Sequence, residues 1–151
     1  MIQTVRVVQI DEKEDLKGNS ILAQINNPQV SKIRSIRVYR LEGIDRKKTK
    51  FLAEKLLSES INQKYLIDSP AFNAESKVEI AYKPGVMNPE AASIIKSAKD
   101  LGIKLLAVDS STEFYFFGKQ NKDPHKLLDG LGLYNPLIEY IVDKPPKSLL
   151  I

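Results

Sequence analysis

KPGVMNPEAASIIKSAKDLG, residues Lys83 to Gly102, is the stretch on which the reading of the fold turns. Lys83-Pro84-Gly85 is a turn tripeptide, with proline presetting its own φ and glycine free to take positive values. Asn88 is placed to cap a helix, and Pro89 takes the first helical position, where a missing N–H leaves nothing unpaired. Ala91, Ile94, Ile95, Ala98 and Leu101 then recur at helical spacing as one apolar stripe, and Gly102 is a C-terminal stop. Upstream, Lys77 to Tyr82 alternates apolar and polar side chains, which predicts a strand feeding the turn. The segment is thus strand, turn and amphipathic helix.

Outward from it the pattern continues. Leu105 to Val108 and Glu113 to Phe117 read as strand, closed by Gly118. Asp123-Pro124 opens a second helix through Leu127 and Leu128, and Tyr140-Ile141-Val142 is a final strand. The first half has the same order. Thr4 to Ile10 is a short β-branched strand, and Asp11 to Gln24 is a weak helix carrying Leu16, Ile21 and Leu22, with Ile25 just beyond. Asn26-Asn27-Pro28 stops it, because proline disfavours helical geometry in the preceding residue. Ile33 to Leu41 is a strand closed by Gly43, Asp45 caps a helix through about Ser58, and Tyr65 to Ile67 is a third strand.

The halves align with small insertions. Val5 and Val7 match Val78 and Ile80; Ile21, Leu22 and Ile25 match Ile94, Ile95 and Ala98. Tyr39 with Gly43 falls beside Tyr115 with Gly118, Lys55-Leu56-Leu57 beside Lys126-Leu127-Leu128, and Tyr65 to Asp68 beside Tyr140 to Asp143. The spacing stays between 71 and 76 residues. A period of that length indicates a duplicated β-α-β-α-β unit rather than a solenoid, whose repeats are shorter and more numerous. The expected organisation is a first unit over 1–70, a linker at 71–76, a second unit over 77–143 and a tail at 144–151. The expected fold is an α/β (α+β) two-layer sandwich of antiparallel sheets with helices on one face.

The composition narrows the chemistry. The 151 residues include 23 Lys+Arg, 19 Asp+Glu, one His and no Cys. Zero cysteines exclude disulfides, thiol nucleophiles and thiolate metal sites, and a single histidine leaves little for a zinc centre or a His-based triad. Walker, dinucleotide and nucleophile-elbow patterns are missing. Gly130-Leu131-Gly132 reads as a loop, His125 as a solvated or capping residue, and the acids Asp11, Glu12, Glu14 and Asp15 as a solvated face. No catalytic, cofactor or metal residue is assigned. With no signal-peptide pattern and no long apolar span, the chain is read as cytoplasmic.

Charge is uneven. Residues 30–50 hold eight basic side chains (Lys32, Arg34, Arg37, Arg40, Arg46, Lys47, Lys48, Lys50) against Glu42 and Asp45, a local +6 within a total of +4. Such a window serves as a solvated face, a protein contact or a phosphate track. Only Tyr39 in it offers a ring for base stacking, so nucleic acid is not the expected partner.

The Lys83 to Gly102 segment resembles the strand-turn-helix of the PurS family, the small subunit of phosphoribosylformylglycinamidine (FGAM) synthase. The family pattern runs Lys-Pro-Gly-Val, then Asp-Pro, then a helix ending in Leu-Gly. Lys83 to Val86, Pro89 and Leu101-Gly102 match it, and Asn88 stands in place of the usual Asp. The strand ending at Gly43 also resembles the family's. Two such units resemble the tandem pair that opens the longer, single-chain FGAM synthases, a likeness spanning residues 1 to about 143. The resemblance implies a part with no catalytic residue of its own, a monomeric pseudo-dimer that docks a glutaminase on an ATP-dependent synthetase and shelters ammonia in transit. ATP and Mg would be held by the synthetase partner. The implied partner surface is Lys83, Pro84, Gly85 and Asn88 with Arg37, Tyr39 and Arg40. The tail Lys144 to Ile151 reads as a semi-rigid linker. The other readings from the residues are a small-molecule-sensing regulatory α/β module and a nucleic-acid-binding module using residues 32–50.

Overall fold

Alternating β-branched and polar runs build the sheet of the computed structural model, which describes residues 1–25, 29–118 and 134–150. Its strands are β1 (Ile2–Gln9), β2 (Val30–Glu42), β3 (Gln63–Ile67), β4 (Ser76–Tyr82), β5 (Ala107–Gly118) and β6 (Glu139–Ile141). They join in one sheet, in the order β3-β1-β2-β5-β4-β6, with every neighbouring pair antiparallel. The long central pair, β2 and β5, runs in one register from Lys32 opposite Phe117 to Glu42 opposite Ala107, with a bulge between Lys32 and Val30, which faces Gly118. It merges the halves into a single sheet instead of the separate sheets expected from the sequence.

Among the described residues three helices cover one face: α1 (Leu16–Ile25), α2 (Arg46–Leu52) and α3 (Pro89–Asp100). A 3-10 turn at Glu12–Glu14 precedes α1, and α2 continues into a π-helical turn at Ala53–Leu57, which Ser58 N closes by donating to Ala53 O. Asp45 and Asn88 cap α2 and α3 as expected, accepting from Lys48 N and Ala91 N. The expected helix at Asp123 lies outside the described residues, as do the Asn26-Asn27-Pro28 stop, His125 and Gly130-Leu131-Gly132. The two strands expected at 105–108 and 113–117 are one strand, because Ser110 to Thr112 continue the ladder with β2.

The apolar core is shared between the halves. Ile94 and Ala98 of α3 pack with Val5, Val7, Tyr39, Leu41 and Leu52 of the first half. Ile21 of α1 packs with Val78, Ile80, Phe114 and Phe116 of the second. The helices thus lie over strands of their own half, while their apolar residues share clusters with the other half. This burial is the main source of stabilisation in such a layer. The sheet's other face carries Val8, Ile36, Val38 and Tyr115, and the 69–75 connection lays Ala71, Phe72 and Ala74 on it.

Hydrogen bonding reads alike in the two halves. Ile10 N donates to Asn62 O, and Lys83 N to Ile138 O. Gln63 N donates to Glu59 O, and Glu139 N to Asn135 O. In the same turns Glu59 N donates to Gln63 Oε1 and Asn135 N to Glu139 Oε1, while Ile61 N donates to Glu59 Oε1 and Leu137 N to Asn135 Oδ1. The strand register corrects the tyrosine landmarks. Val5 lies opposite Tyr39 and Val78 opposite Phe114, so Phe114, not Tyr115, holds the position of Tyr39. Likewise Val7 faces Tyr65 and Ile80 faces Ile141, so Tyr65 corresponds to Ile141, not Tyr140. A shift of one residue moves a strand side chain to the opposite face.

Among the described residues no helix is long and apolar enough to cross a membrane.

Candidate functional site

The Lys83-Pro84-Gly85 turn closes with Val86 N donating to Lys83 O. Gly85 has φ +86°, a left-handed conformation that side chains with a Cβ resist. The Asn88 side chain works in two directions. Its Oδ1 accepts from Ala91 N at 3.2 Å, and its Nδ2 donates to Ser110 Oγ at 2.9 Å, tying the head of α3 to β5. Beside it, burial raises the carboxyl pKa of Asp109 above its ordinary value, although the Ser110 amide and Asn88 oppose the shift. An aspartate at position 88 would set a second negative charge there. A cavity of about 290 Å³ lies at this corner, lined by Lys83, Pro84, Gly85, Asn88 and Asp109 together with Pro146 and Leu149 of the tail.

Arg37 and Tyr39 reach the same helix through Glu90, its second residue. Arg37 Nη2 pairs with Glu90 Oε1, Arg37 Nη1 donates to Thr112 Oγ1 at 2.6 Å, and Tyr39 Oη donates to Glu90 Oε2 at 3.3 Å. Burial first, and then the Glu90 charge, raise the Tyr39 phenol above its usual range. Six of the seven residues assigned to a partner surface thus gather around the turn and first turn of α3.

Arg40 does not join them. The strand alternation turns it to the helix-free face, where it is 4% exposed. There its guanidinium makes a two-pronged pair with Glu79, whose Oε2 also accepts from Ser111 Oγ at 2.6 Å. A second pair lies alongside. Arg6 Nε and Nη2 donate to Glu113 Oε1 and Oε2 at 2.8 and 3.2 Å, and Tyr115 Oη donates to Glu113 Oε1 at 2.8 Å. Each arginine reaches two strands across, so β1, β2, β4 and β5 are tied by charge on this face. A buried pair adds little net stability over apolar residues of the same volume, but removing one partner strands the other charge.

The connection and the tail flank this network, whose Arg6, Arg40, Glu79 and Glu113 line a recess of about 280 Å³. Phe72 meets Tyr115 and Phe117 edge-on at 5.3 and 5.9 Å, and Arg34 lies 4.8 Å from its ring centre. Glu42 accepts from Ser148 Oγ at 2.9 Å and from Leu149 N at 2.6 Å. The tail read from sequence as a linker is, through those residues, bound to the end of β2.

The basic window is largely spent inside the molecule. Arg34 pairs with Asp15, Arg37 with Glu90, Arg40 with Glu79 and Lys32 with Glu12. Lys47, Lys48 and Lys50 on α2 are exposed. Asp15, expected on a solvated face, is 3% exposed: it accepts from Gly18 N, Ser35 N and Ser35 Oγ as well as from Arg34. Among the described residues no group of three or more His, Cys, Asp or Glu is placed to hold a metal ion.

Glu79, Glu90 and Glu113, which organise both faces, were not singled out from sequence. The available signal was a charged residue at a strand position flanked by buried ones, as with Glu79 between Val78 and Ile80. Neither a protein-family model nor a curated protein matches this sequence.

Proposed function

We propose that this chain is a non-catalytic assembly subunit or domain of an FGAM synthase, built from two PurS-like units. In this role it docks a glutaminase on the ATP-dependent synthetase and helps shelter ammonia between them. The observation that carries the reading is the matching of the turns at Glu59–Gln63 and Asn135–Glu139. The same three hydrogen bonds recur there on different side chains, together with a strand order that reads alike from either edge. Recurrence of a bonding pattern through changed residues supports duplication more strongly than aligned apolar residues do. The turn from Lys83 to Asn88, which carries the family resemblance, supports a partner contact by its exposed position beside a cavity of about 290 Å³.

The test is reconstitution with glutaminase and synthetase purified from the same source. The chain is expected to co-purify with both and to raise glutamine-driven FGAM formation, leaving the ammonia-driven rate within about twofold, since free ammonia needs no docked glutaminase. An unchanged glutamine-driven rate, with no complex formed, would overturn the reading.

A further inference from the structure

We propose that the cavity at the head of α3, between the Lys83–Asn88 turn and the tail, is a binding site for a free α-amino acid with an apolar side chain. The proposal concerns the chain alone and does not rest on the assembly role.

The walls select an apolar body. Val86, Ala91, Val108, Tyr140, Pro146 and Leu149 make up much of the lining, so an aliphatic side chain placed there leaves water. A volume of about 290 Å³ suits a small metabolite rather than a large cofactor. Pro146 and Leu149 belong to the tail, which Glu42 anchors through Ser148 Oγ and Leu149 N. A ligand against that wall therefore holds the tail in place.

The charges select a zwitterion. Lys83 is the one cation in the lining and Asp109 the one acid, and both are unspent. Asp109 Oδ1 accepts from Ser110 N at 2.9 Å and meets Asn88 Nδ2 at 3.5 Å, while Oδ2 has no hydrogen-bond partner among the described residues. Burial raises the Asp109 pKa, as expected of a carboxylate with no cation in contact. Its register partner Arg40 is taken by Glu79. Lys83 is exposed, and among the described residues its Nζ makes no ion pair with Asp109 or with any other acid. A simple anion would meet Asp109 and a simple cation would meet Lys83, so neither is favoured. An α-amino acid answers both, its ammonium donating to Asp109 Oδ2 and its carboxylate accepting from Lys83 Nζ.

The probe is leucine, added to the ¹⁵N-labelled full chain and followed by amide chemical shifts. Isocaproate, which lacks the ammonium, and isoamylamine, which lacks the carboxylate, are the comparisons. Saturable shifts are expected with leucine at Val86, Asn88, Val108 and Leu149. Losing one charge-assisted contact should weaken binding by about tenfold or more, in each analogue and in Lys83→Met and Asp109→Asn. Both variants are expected to fold, since Lys83 is exposed and asparagine keeps the Oδ1 acceptor for Ser110 N. No saturable shift with leucine, equal affinity for either analogue, or affinity unchanged in both variants would overturn the proposal.

Discussion

Arg37 and Thr112 are register partners at the middle of the β2–β5 ladder, and Arg37 Nη1 donates to Thr112 Oγ1 at 2.6 Å. The bond crosses the seam where the halves meet, and the same guanidinium holds Glu90 at the head of α3. Because the arginine is partly exposed, the pair is worth little by itself. A double-mutant cycle of Arg37→Met and Thr112→Val, measured by urea unfolding, is expected to show a coupling of about 0.5–1 kcal/mol.

The Arg6–Glu113 pair is different, since Glu113 is only 1% exposed. Glu113→Leu leaves Arg6 without its carboxylate in a covered site, with an expected loss of about 3–5 kcal/mol. Arg6→Met combined with Glu113→Leu removes both charges and should recover most of that loss. Equal losses in the single and double variants would refute the account.

Glu79 and Asp109 are expected to respond to pH with opposite signs. Burial alone would raise the Glu79 pKa, but hydrogen bonds from Arg40 and Ser111 and the Arg40 charge hold it below the usual carboxylate range. Its contribution is present above the unfolded pKa and is lost as pH falls through the folded value. Burial leaves Asp109 raised, so its ionised form costs stability at neutral pH, and the cost disappears as pH falls below the unfolded value. Glu79→Gln should therefore destabilise at neutral pH and Asp109→Asn stabilise. Both differences should shrink towards about pH 3, read from denaturation midpoints.

Position 88 separates capping from charge. Asn88→Ala removes the acceptor for Ala91 N and is expected to cost about 1 kcal/mol. Asn88→Asp keeps that acceptor and gains from the helix dipole, but it loses the donor to Ser110 Oγ and faces Asp109. Thermal unfolding should place it below the natural protein at neutral pH and show recovery on acidification.

Gly18 reverses an ordinary rule. Replacing a glycine within a helix by alanine usually stabilises by up to about 1 kcal/mol, and Gly18 lies in the first turn of α1. Here a Cβ would come within 2.5 Å of Ile33 O and 2.9 Å of an Asp15 carboxylate oxygen. Gly18→Ala is therefore expected to lower the unfolding midpoint, and a raised midpoint would show that α1 can move off β2 at little cost.

The local signals in the chain were legible. The caps Asp45 and Asn88, proline at the first position of α3 and the strand alternation of 77–82 each depend on neighbours within a few residues, and each element formed where its pattern lay. The candidate surface was legible as far as those signals reached. Lys83 to Asn88 hold together because one turn and one cap build them, while Tyr39 and Arg37 join through Glu90, a partner that no spacing announces.

By itself the sequence determined most of the described elements and their order, because propensity, capping and hydrophobic period are short-range properties. Only the tertiary structure decided which face each strand residue occupies. One residue of register separates Tyr39 among the helices from Tyr115 on the far face, and sends Arg40 to Glu79 rather than to the surface with Arg37. It also decided that β2 and β5 pair, that the apolar clusters are shared between the halves, and that connection and tail lie against the second face. Those outcomes depend on burial and charge pairing between residues far apart in the chain, where the energy lies in contacts that no local pattern encodes.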